Sequence, residues 1–277
     1  MTLQDPRPLL QAARAQGHGI GAFNVIQIEH AEAIVAGAEE AGLPVVLQIS
    51  ENTAAFHRGL HGIGAAALAI AAAATVPVVV HLDHAQDEEL LDEAVRLGFT
   101  SVMYDGAAMP YADNQARTAG VVTRCYAEGV AVEAELGEVG GKDGAHAPGV
   151  RTDPGEAAAF VAATGVDSLA VAVGTSHAMT DRSAVVDLAL IRALHREVRV
   201  PLVLHGSSGL DDPGLVGAVQ AGMTKVNIAT RLNQVMTGVI RQVLTADAGV
   251  TDPRKYLGPG RDAVASEVAQ LLRLLHG

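Results

Sequence analysis

Residues 76–84 read VPVVVHLDH, an uncharged run of branched side chains that ends in polar residues. Two more runs have this form, SLAVAVGTSH at 168–177 and PLVLHG at 201–206, and short apolar runs of this kind are typical of buried strands. Each run has a histidine at or next to its end, and these are His84, His177 and His205. Neutral imidazole is the commonest protein ligand for a catalytic transition metal, and three protein ligands leave one position open for substrate. We therefore predict a mononuclear metal enzyme.

The whole chain alternates segments of this kind with segments of helical spacing. Eight β-rich segments begin at residues 19, 44, 76, 101, 131, 168, 201 and 225. Between them apolar residues recur at helical intervals, for example at Ala31, Ile34, Val35 and Ala38. Alternating strands and helices form a parallel sheet, so eight such units predict an α/β fold of the (β/α)8 TIM barrel type, one domain spanning residues 1–277.

Barrels of this type bind their substrates at the carboxyl ends of the strands. In this chain the strand bodies are apolar, whereas nearly all the reactive side chains lie at or near strand ends. These side chains are Asn24, Ser50, Asp83, His84, Asp105, Glu135, His177, His205 and Asn227. We expect them to meet at one face of the barrel and to form the site there.

The composition narrows the classes of partner. A net charge of −12 argues against binding to nucleic acid or anionic membranes, because both reward clustered Lys and Arg. Residues 62–80 carry no charge but are mostly alanine, with Pro77 among them, which predicts a helix and a strand rather than a membrane span. The single Cys125 excludes an intramolecular disulfide, and the first residues lack an apolar signal region, so we expect a cytoplasmic location.

Asp83 places a carboxylate directly beside the candidate ligand His84. Adjacent side chains diverge on a regular strand, so both face the pocket only where the strand gives way to a loop. A carboxylate beside a metal can move protons to and from the substrate without being a ligand. The alternative is that Asp83 caps the helix predicted over DEELLDEAV.

Two further segments suggest where a substrate binds. The turn GSSG at 206–209 and the NIAT that ends strand eight contain small residues, which let backbone N–H groups approach a phosphate. An ordinary glycine turn is the simpler alternative. The glycine-rich residues 137–152 predict a mobile lid that delivers Glu138 or Asp143 as a second proton-transfer group, or else a solvated surface loop.

The chain resembles the class II, metal-dependent ketose-bisphosphate aldolases, which include the fructose- and tagatose-bisphosphate aldolases. The resemblance covers nearly the whole length. It is carried by AFN at 22–24, HLDHA at 81–85, SVMYDG at 101–106, VEAELGEVGG at 132–141, TGVDSLAVAVGTSH at 164–177, PLVLHGSSG at 201–209, KVNIAT at 225–230 and DPRKYL at 252–257.

This resemblance implies reversible cleavage of a ketose phosphate or bisphosphate to dihydroxyacetone phosphate and an aldehyde. Zn²⁺ is the implied cofactor, together with a monovalent cation such as Na⁺ or K⁺, and a homodimer or homotetramer is the implied assembly. Zinc ligands would be His84, His177 and His205, with Asp105 and Glu135 beside them or as alternate ligands, and Asp83 as the acid and base. Substrate and phosphate would contact Asn24, Ser50, Gly174, Ala178, Gly206, Ser207, Ser208, Asn227, Ala229 and Thr230.

The chain departs from the family pattern at three places. In the lid, Lys142 and Asp143 follow the paired glycines where the family has a glutamate, so that Asp143 is the substitute with a shorter reach. Ala178 follows His177 where the family has glycine. Arg231 stands where the family has an acid that contacts substrate hydroxyls, so it either binds an anionic group or forms a surface salt bridge. Further candidates for a distal phosphate are Arg254 and Arg261, either in the site of their own chain or in that of a neighbouring subunit.

Three alternative functions differ from this one in the residues that they require. A Schiff-base aldolase is disfavoured because only Lys142, Lys225 and Lys255 are present, and Lys225 starts strand eight, far from the expected site. A zinc hydrolase on the same fold would use the metal to make hydroxide. A non-catalytic barrel subunit would lack metal ligands, whereas all three histidines are present here.

Overall fold

The eight strands close into a barrel. The computed structural model describes residues 2–137, 151–176 and 181–277, and within them the parallel strands pair in chain order, with the eighth pairing back to the first. The strands are β1 Ile20–Asn24, β2 Val45–Ser50, β3 Val78–Ala85, β4 Ser101–Tyr104, β5 Ala131–Leu136, β6 Ser168–Val171, β7 Leu202–Leu204 and β8 Met223–Ile228. The (β/α)8 prediction is confirmed, although β6 and β7 end earlier than expected.

Helices follow the strands and cover the outside of the barrel. They are α1 Pro6–Gln16, α2 Ile28–Ala41, α3 Glu51–Phe56, α4 His61–Ala73, α5 Glu88–Leu97, α6 Tyr111–Ala127, α7 Pro154–Thr164, α8 Leu188–Glu197, α9 Asp212–Ala221, α10 Thr230–Ala246 and α11 Arg254–His276. The uncharged residues 62–80 form most of α4 and the start of β3, as expected. Among the described residues, no helix is both long and apolar enough to cross a bilayer.

Local signals in the sequence set the helix ends. Asp153 accepts a hydrogen bond at 3.0 Å from the backbone N–H of Glu156, Pro154 occupies the first turn, and Gly165 ends α7 with φ of 73°. The left-handed φ explains why glycine stands at this end. The same kind of aspartate cap begins four other helices, at Asp5, Asp87, Asp187 and Asp211.

The amino-terminal end of the barrel is closed by α1. Leu10 and Ala13 of this helix pack on Ile20, Val46 and Val79, which lie near the starts of β1, β2 and β3. Apolar side chains thus fill the amino-terminal end of the barrel, whereas polar side chains lie at the opposite end, where the strands finish.

Candidate active site

A pocket lies at the carboxyl ends of the strands. Its described lining residues are Asn24, Gln48, Ser50, Asn52, Asp83, His84, Ser176, Gly206, Ser207, Ser208, Asn227, Ala229 and Thr230. Gln48, Asn52 and Ser176 were not singled out from the sequence. Gln48 could have been, because it precedes Ser50 by two positions and therefore points to the same face of β2.

The backbone of β3 turns Asp83 and His84 into the same pocket. His84 has a left-handed φ of 52°, and the pairing of β3 with β4 shifts register between Leu82 and Ala85. A non-glycine residue in this region costs about 1 to 3 kcal/mol and is retained where the surroundings require it. On a regular strand these two adjacent side chains would point to opposite faces of the sheet. The irregularity lets both face the pocket, as predicted from the sequence.

Histidines and carboxylates from different strands form a cluster beside Asp83. Nδ1 of His84 lies 2.7 Å from Oδ2 of Asp105, and Nδ1 of His205 lies 2.8 Å from Oε2 of Glu135. The two imidazole ring centres are 4.5 Å apart. All four side chains are buried.

This donor set fits a divalent metal ion. Ligand atoms of His84, Asp105 and Glu135 lie within 4.8 Å of one another, and so do those of Asp83, His84 and His205. Imidazole nitrogen and carboxylate oxygen together suit zinc and related metals. The third histidine from the sequence, His177, lies outside the described residues.

The residues just before position 177 can still be placed. Ser176 lines the pocket, and the hydroxyl of Thr175 donates a 2.6 Å hydrogen bond to the carbonyl of His205. The chain therefore reaches the pocket at residue 176. The candidates Glu138, Asp143 and Ala178, with most of the expected lid, lie outside the described residues.

Thr152, at the carboxyl end of the glycine-rich residues 137–152, is anchored to the barrel. Thr152 is buried, donates to the carbonyl of Leu136 at 2.6 Å and accepts from the backbone N–H of Ala172 at 2.8 Å. At Gly174 an added Cβ would lie 2.7 Å from the carbonyl oxygen of Val185, so glycine is needed there for backbone packing. Gly174 is not among the described lining residues.

Asp83 is held by neighbouring charges, not by a helix. The cap of α5 is Asp87, whose carboxylate accepts from the N–H of Glu89 at 2.9 Å, so the alternative that Asp83 caps this helix is wrong. Burial would raise the pKa of Asp83, but electrostatic interactions with His84, Lys225 and His205 lower it to about 2. The carboxylate is therefore ionised at neutral pH.

Carboxylates surround His205 in turn. Burial would lower the pKa of His205, but hydrogen bonds and charge from Glu133 and Glu135 raise it to about 9. The same contacts, with Lys225, lower the pKa of Glu133 although burial opposes the shift. This part of the site is thus a buried network of opposite charges.

The turn after β7 has the form expected of an anion site. Gly206 has φ of 65°, and a 3-10 turn follows at Ser207–Gly209. The hydroxyl of Ser207 donates to the backbone carbonyl of Asn227 at 2.5 Å, which fixes the turn against β8. Thr230 begins the seventeen-residue helix α10, whose amino end carries partial positive charge.

The three candidate arginines are placed elsewhere, since none is among the described lining residues. Arg231 forms ion pairs with Asp212 at 3.0 Å and with Glu267, so its side chain takes the salt-bridged alternative. Arg254 is exposed and pairs with its near neighbour Asp252 at 2.8 Å. In the same way, Arg261 pairs at the surface with Glu32 at 3.0 Å and with Asp262.

Lys225 also differs from expectation. It is the third residue of β8, and its side chain is buried inside the barrel, 2.9 Å from Oε2 of Glu133. The lysine is therefore close beneath the site, not far from it. Lys225 is not among the described residues that line the pocket, and its amine forms an ion pair. Its position therefore does not suit a nucleophile that forms a Schiff base with the substrate.

The fold and this pocket define a class: a (β/α)8 barrel enzyme with a candidate metal centre beside a phosphate-type turn. Residues 4–277 match the model of the family described as "Fructose-bisphosphate aldolase class-II". The chain is 36% identical over 278 residues to a probable fructose-bisphosphate aldolase of Bacillus subtilis (strain 168), covering 99% of this chain and 97% of that one. It is 36% identical to the fructose-bisphosphate aldolase of Geobacillus stearothermophilus, with 99% and 96% covered.

Solved structures agree with these relatives. The YdjI aldolase from Escherichia coli K12 superposes with a TM-score of 0.85 at 30% identity, covering 99% of this chain and 97% of that one. A putative fructose-1,6-biphosphate aldolase from Coccidioides immitis gives a TM-score of 0.85 at 28% identity, with 98% and 96% covered. The chain belongs to the class II fructose-bisphosphate aldolase family, and it is an aldolase. The resemblance found in the sequence is confirmed, and it favours the aldolase over the hydrolase and the non-catalytic subunit.

Proposed function

We propose that the chain reversibly cleaves a ketose phosphate to dihydroxyacetone phosphate and an aldehyde, with zinc as its metal ion. One observation carries the proposal: His84, His205 and their carboxylate partners meet at the pocket that holds Asp83 and the turn at 206–209. Bound zinc would supply a Lewis acid that stabilises negative charge developing on the substrate.

The phosphate is held at the turn and at the start of α10. Gly206 and Ser208 line the pocket there, and Thr230 begins the helix. A helix start with small neighbouring residues binds phosphate through backbone N–H groups. This anchors one end of the substrate, so the bond to be broken lies at a fixed distance along the pocket.

Amide side chains orient the rest of the ketose. Gln48 donates to Asn24 at 2.6 Å, and the amide of Asn227 faces Asp83. These groups are nearly fully buried or line the pocket, so they hold their orientation before the substrate arrives. Holding the reacting groups in place in this way lowers the entropic cost of reaching the transition state.

Asp83 accepts the proton that leaves during cleavage. When the C3–C4 bond breaks, its electron pair stays with the C3 fragment, the C4 hydroxyl gives its proton to Asp83, and C4 becomes the aldehyde carbonyl. In the direction of synthesis Asp83 returns this proton. A second group protonates C3, and our candidates remain Glu138 and Asp143.

Assembly and location complete the proposal. We propose a homodimer or homotetramer, supported by the exposed apolar side chains of Phe56 and Val185, which are 73% and 79% exposed. We propose a cytoplasmic location, supported by the single buried cysteine, Cys125. Sedimentation of the purified protein measures the first directly.

The activity is tested by metal removal and return. The purified chain is analysed for metal content and assayed with a panel of ketose mono- and bisphosphates, with dihydroxyacetone phosphate measured by a coupled reduction. We expect about one zinc ion per chain, loss of activity on chelation, and recovery on adding zinc. Undiminished activity in the fully chelated protein would contradict the proposal, and so would phosphate release without dihydroxyacetone phosphate.

A further inference from the structure

A second layer of polar side chains lies inside the barrel, one step below the pocket. Residues two positions apart on a strand point to the same face, and on four strands a buried polar residue stands two positions before a residue of the site. These residues are Gln48, His81, Glu133 and Lys225, each at most 2% exposed, below Ser50, Asp83, Glu135 and Asn227, and of the four Gln48 alone also lines the described pocket.

The strongest contact in this layer is an ion pair between β5 and β8. Nζ of Lys225 lies 2.9 Å from Oε2 and 3.1 Å from Oε1 of Glu133. The hydroxyl of Ser168 donates to Oε2 of the same carboxylate at 3.2 Å. The lysine and the hydroxyl together hold the carboxylate of Glu133 in place.

Stability alone does not account for this pair. Taking two charges out of water costs free energy that their attraction only partly returns, and well-packed apolar residues often replace such a pair without loss of stability. The barrel already has an apolar core around β5 and β8, including Val132 and Val226. A role in the site above is the better explanation.

Glu133 also contacts the candidate metal ligand His205, and it does so on one particular side. Nε2 of His205 lies 3.4 Å from Oε1 of Glu133, whereas Nδ1 faces Glu135 at 2.8 Å. Glu135 belongs to the donor cluster with His84 and Asp105. Nδ1 is thus the nitrogen on the metal side, and Nε2 is directed down to the lower layer.

We propose that Glu133 and Lys225 are positioning residues for the metal centre. The negative charge of Glu133, 3.4 Å from Nε2 of His205, keeps the proton on that nitrogen and leaves the Nδ1 lone pair directed at the donor cluster, while Lys225 holds Glu133 in place and balances its charge. A carboxylate behind a metal-binding histidine fixes the ring and its tautomer in this manner. The inference rests on the proposed function, since it takes His205 to be a metal ligand.

The decisive variant replaces both charges together. Glu133→Leu with Lys225→Met removes the pair without leaving a lone buried charge, whereas Glu133→Gln or Lys225→Met alone leaves one and is expected to lower stability. Ser168→Ala is the matched control, because it removes a neutral contact to the same carboxylate and leaves the ion pair. Each purified variant is titrated with zinc against a competing chelator, and its cobalt-substituted form is examined by visible absorption.

We expect the double variant to melt close to the unsubstituted protein, to bind zinc about 10- to 100-fold more weakly, and to show altered cobalt bands. Ser168→Ala should stay within about threefold in zinc affinity, with unchanged bands. Unchanged zinc affinity and cobalt bands in the double variant would overturn the proposal. Failure of the double variant to fold would assign the pair to the fold and would also overturn it.

The same titration separates this inference from the proposed function. The unsubstituted protein and His205→Ala test whether His205 binds metal at all. If His205→Ala binds zinc as tightly as the unsubstituted protein does, the metal site itself is misassigned. If His205→Ala loses zinc while the double variant keeps it, only the positioning role fails.

Discussion

Asn227 on β8 and Asp83 on β3 face each other, with Nδ2 of the amide 3.4 Å from Oδ1 of the carboxylate. The two strands are not neighbours in the barrel, so only closure of the sheet brings the side chains together. The proton acceptor Asp83 therefore lies beside the amide of Asn227, which can orient both the carboxylate and the substrate.

Replacing Asp83 by asparagine should abolish most turnover and leave zinc bound. The amide has nearly the same shape but cannot take up the C4 proton, so we expect kcat to fall by at least about 100-fold. The coupled assay and the zinc content measure the two effects. Asp87→Asn is the matched control, because asparagine caps α5 as well as aspartate does. Turnover close to normal would remove Asp83 from proton transfer, and loss of zinc would make it a ligand.

Arg231 should act on stability and not on the choice of substrate. Its guanidinium is held by Asp212 and Glu267, so Arg231→Met is expected to lower the melting temperature by about 2 to 4 °C. The ratio of kcat/KM between two ketose phosphates should stay within about threefold of the original. Arg241→Met, an exposed change on the same helix, is the control. A changed substrate ratio would return Arg231 to the binding site.

Cys125 should resist alkylation while the chain is folded. Burial raises the pKa of this thiol to about 11, and because the folded pKa lies above the unfolded one, thiolate formation is suppressed up to high pH. At about pH 8 we expect iodoacetamide to label it at least about 100-fold more slowly than in denaturant. Mass spectrometry follows the reaction, with the exposed position in Thr123→Cys as control. Equal rates at the two positions would show that Cys125 is not buried.

The sequence predicted the barrel and the location of its site because both depend on local patterns. Alternating strands and helices require a parallel sheet, and parallel strands bring their carboxyl ends to one face. Asp83 and His84 show how far this reasoning extends. Their adjacency demanded a break in β3, and the left-handed backbone of His84 provides it.

Contacts between distant parts of the chain were not predictable in the same way. Arg231 meets Asp212 and Glu267, which lie 19 and 36 positions away, and nothing in a single sequence identifies such partners. Lys225 differs from the prediction for another reason: the sequence pattern starts strand eight at residue 225, whereas β8 begins at Met223. Counting back two residues from Asn227 would have placed it inside the barrel.

Gly206 should tolerate no side chain, because the turn that it begins is fixed by close backbone packing. An added Cβ would lie 2.6 Å from the carbonyl oxygen of Ser176, and φ of 65° already disfavours other residues. We expect Gly206→Ala to cost about 2 to 4 kcal/mol of unfolding free energy and to raise KM for the phosphorylated substrate. Gly62→Ala is the control, since that exposed glycine in α4 has no neighbour within 4 Å and alanine should stabilise the helix there. Denaturant unfolding and steady-state kinetics measure both variants, and an unchanged KM in Gly206→Ala would place the phosphate away from this turn.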